Sequence, residues 1–311
     1  MKLAVIDMGT NTFNLLIAEC LNGDFRVVYS DKQPVKLGQK SAEQHFIDSE
    51  GIRRISRVLE LYKAQIEKHS VDEVLALATS SIRTANNQKE VLDFVREKFQ
   101  IPVQIIDGLR EAELISIANQ YAIRQCMKEQ HYPALIMDIG GGSTEFIITS
   151  PNSVLWKKSF LIGMSRLIDE IRPHDPVQSS DIERIHLYLD SILEPLIIQI
   201  SQHRPKTLVG SSGVFDSVVE MIEANIHPLK KTNSCCFVNK EDFDSIYRQI
   251  LPLAYQDRLA FKGLIEMRAD MIVISLILID YVLKKYNPEN FVVSFYSLKE
   301  GAVIEKMRNT H

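Results

Sequence analysis

A chain of 311 residues exceeds the size at which a single hydrophobic core keeps growing, so two domains of ordinary size are the expectation. With 45% hydrophobic and 24% charged residues the composition is that of a globular protein. A formal net charge of −4 excludes the basic character of a dedicated nucleic-acid binder, so any polyanion has to be met locally.

In chain order, Leu3-Ala-Val-Ile-Asp-Met-Gly-Thr-Asn-Thr-Phe-Asn-Leu-Leu-Ile17 reads as two apolar strands joined by a turn that holds Asp7, Gly9, Thr10, Asn11 and Thr12. Phe25 to Ser30 alternates as a third strand, and Pro34 to Gln39 is a polar turn region. Ile52, Ile55, Leu59, Tyr62 and Ile66 recur at helical spacing, which predicts an amphipathic helix from Ser49 to near Ser70. Val74 to Ala78 is a buried strand. It runs into Thr79-Ser-Ser-Ile-Arg-Thr-Ala-Asn86, a loop of hydroxyls with Arg83, at a strand end where open α/β sheets bind ligands. Arg83 suits bidentate phosphate binding, although a capped helix start with a solvated arginine has the same pattern.

A helix from Gln88 to Phe99 and a strand from Pro102 to Ile106 follow. Asp107-Gly-Leu-Arg-Glu-Ala-Glu-Leu-Ile115 then opens another helix. Glu111 and Glu113 are two apart, so only one of them looks inward. Acidic residues in a first turn also simply complement the helix dipole.

Leu135-Ile-Met-Asp-Ile-Gly-Gly-Gly-Ser-Thr-Glu-Phe-Ile-Ile-Thr149 repeats the plan of the N-terminal hairpin: Asp138 matches Asp7, Gly140 matches Gly9 and Ser143 matches Thr12. Consecutive glycines free the backbone to aim N–H groups at one point, which makes an anion cradle, though glycine also serves simple chain reversal. Gly140, Gly141, Gly142, Ser143 and Thr144 are the candidate phosphate residues here. Asp138 is the candidate ligand of a hard cation, with Asp7 as its counterpart in the N-terminal hairpin. The duplicated bend implies two related domains facing a shared cleft.

Val154 to Phe160 reads as a strand, Gly163-Met-Ser-Arg166-Leu as a turn into a helix, and Ser180 to Gln202 as one long helix. Thr207-Leu-Val-Gly-Ser-Ser-Gly213 is a strand ending in a second glycine-serine turn before a helix. This makes Gly210, Ser211, Ser212 and Gly213 further phosphate candidates. Lys240 to Leu251 and Ile265 to Lys285 are helical, and a strand from Phe291 to Ser294 precedes a terminal helix. The most apolar stretch, Met271 to Leu283, is interrupted by Ser275 and Asp280 and reads as a buried helix rather than a membrane span. Cys20, Cys126, Cys235 and Cys236 lack zinc-ligand spacing and are too few for a disulfide framework. With no signal-like segment, this points to a reducing cytoplasm and to packing roles for Cys235 and Cys236.

Seven motifs together resemble the exopolyphosphatase and guanosine pentaphosphate phosphohydrolase family (Ppx/GppA) over nearly the whole chain. They are Val5-Ile-Asp-Met-Gly-Thr-Asn-Thr12, Ala78 to Asn86, Gly108-Leu-Arg-Glu-Ala-Glu-Leu114, Asp138 to Glu145, Gly210 to Gly213, Arg268-Ala-Asp270 and Ser297-Leu-Lys-Glu-Gly301. The resemblance implies the actin-like ATPase (ribonuclease H-like) α/β fold, with two similar domains around a central cleft. They would lie at 1–125, with the C-terminal helix 298–311 as a candidate addition, and at 126–297. It also implies release of terminal phosphate from polyphosphate or guanosine pentaphosphate with Mg2+ or a similar divalent cation, a short form of the family, and a homodimer. On this resemblance Glu111 is the carboxylate that activates water, Asp138 and Glu145 match the carboxylates around the metal and its water, and Arg110 stands where the family carries its first glutamate. It adds positive charge beside the base. Two other readings remain open: an ATP-dependent kinase or ATPase of the same fold, and a non-catalytic sensor of guanosine penta- or tetraphosphate.

Overall fold

The computed structural model describes residues 1–21, 23–37, 45–128 and 131–309. By its internal contacts the chain forms two compact units. The first is Met1–Ala118, Gly140–Gly142 and Leu298–His311, and the second is Asn119–Ile139 and Ser143–Ser297.

The first unit is built on a five-stranded sheet. β1 (Lys2–Met8), β2 (Thr12–Leu21) and β3 (Asp24–Pro34) form an antiparallel meander, and β4 (Glu73–Ala78) and β5 (Val103–Ile105) add in parallel, giving the order β3-β2-β1-β4-β5. Helix α1 (Ser49–Lys68) starts where the Asp48 side chain accepts from the Gly51 amide. It turns Ile55, Val58, Leu59 and Tyr62 into the core, and the Tyr62 hydroxyl donates to the Phe13 carbonyl (2.7 Å). The short α2 (Ser80–Arg83), α3 (Gln88–Phe99) and the first part of α4 (Gly108–Ile123) follow in order. Of the polar turn read at Pro34 to Gln39, Pro34 ends β3, while Gly38 and Gln39 lie outside the described residues.

The second unit repeats the same opening. β6 (Ala134–Ile139), β7 (Thr144–Thr149) and β8 (Val154–Phe160) form a meander. β9 (Thr207–Ser211) joins β6 in parallel, β11 (Asn290–Ser294) joins β9, and β10 (Cys235–Val238) closes the order β10-β11-β9-β6-β7-β8. Around this sheet come α5 (Met164–Ile171), α6 (Ser179–Ile192), α7 (Glu194–His203), α8 (Gly213–Asn225), α9 (Lys240–Ile250), α10 (Tyr255–Leu259) and α11 (Ile272–Tyr286). All residues from Ile272 to Leu283 are buried, so the most apolar stretch is a core helix. Among the described residues no helix is long and apolar enough to cross a membrane. α12 (Leu298–Asn309) returns to the first unit. The meander followed by parallel strands in both sheets is the actin-like ATPase arrangement.

Three expectations are corrected. The segment from Ser180 to Gln202 is two helices, α6 and α7, broken at Leu193. Pro195 lacks an amide hydrogen, so it fits only in the first turn of a new helix. The helix read from Ile265 begins at Ile272. Ahead of it Glu266–Arg268 forms a 3-10 turn, and the Arg268 guanidinium reaches back to the Ser217 hydroxyl on α8 (2.5 Å). Cys126 and Cys235 form a disulfide, although the sequence reading has both reduced. β10 brings them together: Ser234 donates to the Ala122 carbonyl at the end of α4 (3.0 Å), and a separation of 109 residues leaves no trace in local spacing. Cys236 is free and buried.

Candidate active site

In the first unit the Asp7–Thr12 bend closes through a hydrogen bond from the Gly9 amide to the Thr12 carbonyl (3.2 Å). The second bend, Gly140–Gly142, packs directly against it. A Cβ at Gly141 would lie 2.4 Å from Asn11 Nδ2, and one at Gly142 would lie 2.4 Å from Ser80 Oγ and 2.9 Å from Thr10 Oγ1. Glycine fits here because the side chains of Asn11, Thr10 and Ser80 fill the space a Cβ would take. Ser81 donates to the Thr10 hydroxyl (2.8 Å), so three hydroxyl-bearing residues gather at the interlock.

Ser80 is 2% exposed, and its hydroxyl has no hydrogen-bond partner among the described residues. An unpaired buried hydroxyl costs about 1–3 kcal/mol, a cost that an incoming anionic oxygen would relieve. Sequence reasoning placed Ser80 in a hydroxyl-rich loop but did not select it as a site residue. What singles it out is its position against Gly142, which no local pattern encodes.

Glu111 lies in the first turn of α4, where its amide donates to the Asp107 carbonyl (2.9 Å). Its carboxylate is buried against Arg83, whose Nη1 donates to Glu111 Oε2 at 3.0 Å and to the Ile106 carbonyl at 2.7 Å. This arginine thus pairs with a carboxylate through Nη1, and the phosphate grip expected of it would fall to its other guanidinium nitrogens. With both side chains nearly closed to solvent, removing either one would strand a buried charge, at about 3–5 kcal/mol. Glu113 faces outward and pairs with Arg110 (3.1 Å), so one glutamate of the two turns inward.

Asp7 sits opposite Asn14 in the β1–β2 register and accepts from its side-chain amide (2.9 Å). Its enclosure raises the carboxyl from its ordinary value to about 6, against the lowering pull of Asn14, Lys299 and Lys32.

In the second unit Asp138 and Glu145 are cross-strand neighbours on β6 and β7, both buried. Ser211 donates to Asp138 Oδ2 (2.7 Å) and Ser159 to Glu145 Oε1 (2.6 Å). Thr144 and Ser212 spend their hydroxyls on the Ile162 and Ile139 carbonyls (3.1 Å each), and Ser211 also donates to the Tyr296 carbonyl (3.1 Å). Ser143, between the glycines and Thr144, is buried. Gly210 is held against the Phe215 ring, Ser212 adopts a left-handed φ of 89°, and Gly213 opens α8.

No group of three or more His, Cys, Asp or Glu side chains among the described residues forms a ready cation cage. Mg2+ needs no such cage, because it is commonly held by one or two carboxylates together with water and substrate phosphates. Two adjacent buried carboxylates fit that demand.

The family model for Ppx/GppA phosphatases matches residues 16–310. A crystal structure of an exopolyphosphatase from Cytophaga hutchinsonii is 38% identical, with a TM-score of 0.93 over 99% of this chain and 98% of that one. A Haemophilus influenzae protein whose name assigns it provisionally to the exopolyphosphatases is 26% identical over 308 residues, 99% of this chain and 92% of its own length. The Ppx/GppA family structure from Aquifex aeolicus shares the fold at 23% identity, with a TM-score of 0.80 over 100% and 99% of the two chains. The match over nearly the whole length, together with the paired Asp-Gly bends, makes this chain a member of the Ppx/GppA phosphatase family.

Proposed function

We propose that this protein is a phosphohydrolase that releases the terminal orthophosphate of inorganic polyphosphate, guanosine pentaphosphate or both, with Glu111 as general base. The observation that carries the reading is the first unit's cluster. There, the Asp7–Thr12 bend interlocks with the Gly140–Gly142 turn, and the unpartnered Ser80 hydroxyl shares the unit with a buried glutamate paired with Arg83. The 38% identity to a protein named as an exopolyphosphatase supports polyphosphate as the substrate class.

Phosphoryl transfer to water asks little covalent chemistry of a protein. It asks for a positioned water, donors for the equatorial oxygens and in-line geometry. Glu111 takes the proton of the attacking water. The Gly9–Thr12 and Gly140–Gly142 backbones and Ser80 donate to phosphate oxygens, and Arg83 holds the Glu111 carboxylate in one orientation. Asp138 and Glu145 would hold Mg2+, which when bound neutralises phosphate charge. Asp7, in the first unit, is a further candidate carboxylate ligand for a cation.

The test is orthophosphate release, with Mg2+, from long polyphosphate, short polyphosphate, guanosine pentaphosphate and ATP in parallel. Glu111→Gln is expected to lower kcat by about 10²–10⁴ on the preferred substrate. Near-full activity in that variant rejects the base assignment, and ATP as the fastest substrate favours an ATPase or kinase.

A further inference from the structure

The sequence places Arg110 beside Glu111 as an added positive charge, yet the structure directs its guanidinium elsewhere. Arg110 Nη1 donates to Glu305 Oε1 on α12 at 2.8 Å, and Nη2 donates to Glu305 Oε2, which makes a two-pronged fork. Glu113, one turn further along α4, accepts from the same Nη1. These partners, Glu305 foremost, raise the Arg110 pKa and account for its charge. The arginine is about one-third exposed and Glu305 about one-quarter, so the fork lies at the edge of the packed interior.

α12 is itself anchored. Lys306 binds Glu73 on β4 (2.6 Å), and Leu298, Ala302, Val303 and Ile304 are buried. A Cβ at Gly301 would lie 2.0 Å from the Leu114 carbonyl, so the backbones of α12 and α4 meet one turn beyond Glu111. The Asp107 side chain accepts from the Arg110 amide (2.7 Å) and fixes the start of α4 from the chain side. The first two turns of α4 are thus held at three points: the Asp107 cap, the Gly301–Leu114 apposition and the Arg110–Glu305 fork. A bidentate fork fixes orientation as well as distance, which a single point charge does not.

We propose that Arg110 and Glu305 are a positioning pair that sets the first turn of α4, and with it the Glu111 carboxylate, for catalysis. The proposal rests on the reading of Glu111 as the base. It assigns the Ser297-Leu-Lys-Glu-Gly301 motif and its helix to the support of that base. It also makes Arg110 a tether rather than a substrate-binding cation.

A double-mutant cycle on the full-length protein separates these roles. Arg110→Gln, Glu305→Gln and the double variant are assayed for orthophosphate release from long polyphosphate or guanosine pentaphosphate, whichever the parent turns over faster. Each single variant is expected to lose about 10-fold to 100-fold in kcat with KM within about 2-fold. The double variant should be no worse than either single one, because both remove the same fork. Arg110→Lys should recover only part of the loss. The pH at which activity falls on the acid side should stay in place, since the base is unchanged. If Glu305→Gln keeps kcat within about 2-fold of the parent, if the two losses multiply, or if KM moves instead of kcat, the pair does not position the base. Glu111→Gln runs alongside. Full activity in that variant overturns the base and the pair together, whereas an inactive Glu111→Gln with an unaffected Glu305→Gln overturns the pair alone. Thermal unfolding of each variant checks that the partly exposed fork was removed without loss of the fold.

Discussion

The two Asp-Gly hairpins share a register and differ in one partner. On β1–β2 Asp7 lies opposite Asn14, and on β6–β7 Asp138 lies opposite Glu145, each pair seven residues apart in sequence. The first aspartate thus faces a neutral amide and the second faces another carboxylate. A repeated hairpin therefore does not repeat its chemistry. Asp7 faces no carboxylate across the strands, and its enclosure, with a smaller push from Glu300, raises its carboxyl to about 6. The carboxylate pair gathers two negative charges on one face, where a cation is the natural counterweight. The turns differ too. Gly141 and Gly142 meet the side chains of Thr10, Asn11 and Ser80, whereas Gly9 meets only the backbone of its own bend at Thr12.

The hardest way to break the comparison is to give the second turn a side chain. Gly142→Ala drives a methyl into Ser80 and Thr10, and phosphate release should fall by about 100-fold or more in a steady-state assay. Retained activity would mean that the interlock is incidental.

Making the second hairpin resemble the first is a gentler test. Glu145→Gln keeps the shape and removes one of two charges. The Mg2+ concentration giving half-maximal activity should then rise by at least about 10-fold, read from a magnesium titration of phosphate release. An unchanged magnesium requirement would remove Glu145 from the cation's surroundings.

The smallest effect concerns Asp7. A folded carboxyl at about 6, above its ordinary 3.8, binds a proton that the unfolded chain has already released. Stability from this group is therefore complete below about pH 3.8 and declines as pH rises through 6. Asp7→Asn has no such proton to lose. In metal-free buffer its unfolding free energy should match the parent's near pH 4 and exceed it above pH 6. The excess is at most about 3 kcal/mol, and less in so far as Asp7 keeps some exposed surface. Mg2+ at neutral pH should narrow the gap, because a cation favours the ionised parent. Denaturant unfolding at several pH values, with and without the metal, measures both.

Much of the architecture was legible from neighbouring residues. Alternation and 3.6-residue periodicity marked most strands and helices, and the Asp-x-Gly repeat marked both hairpins, since these signals depend on residues a few positions apart. The reading failed where one position outweighed the pattern. Pro195 split a helix whose apolar spacing runs on without a break, and the turn at Glu266–Arg268 delayed another. The short β10 and α10 carried too few residues to show a period.

The candidate site divides along the same line. Residue types and their order named Asp138 and the glycines, because turn chemistry is written in consecutive residues, while Glu111 and Glu145 were named by the family resemblance. Partnerships were not written there. Arg83 meets Glu111 across 28 positions, Cys126 meets Cys235 across 109 and Arg110 meets Glu305 across 195. Ser80 becomes notable only because Gly142 is packed against it. Local sequence decides which groups a turn or helix can offer. Which groups they meet is decided by how sheets and helices stack, and that outcome is spread over the whole core rather than encoded near either partner.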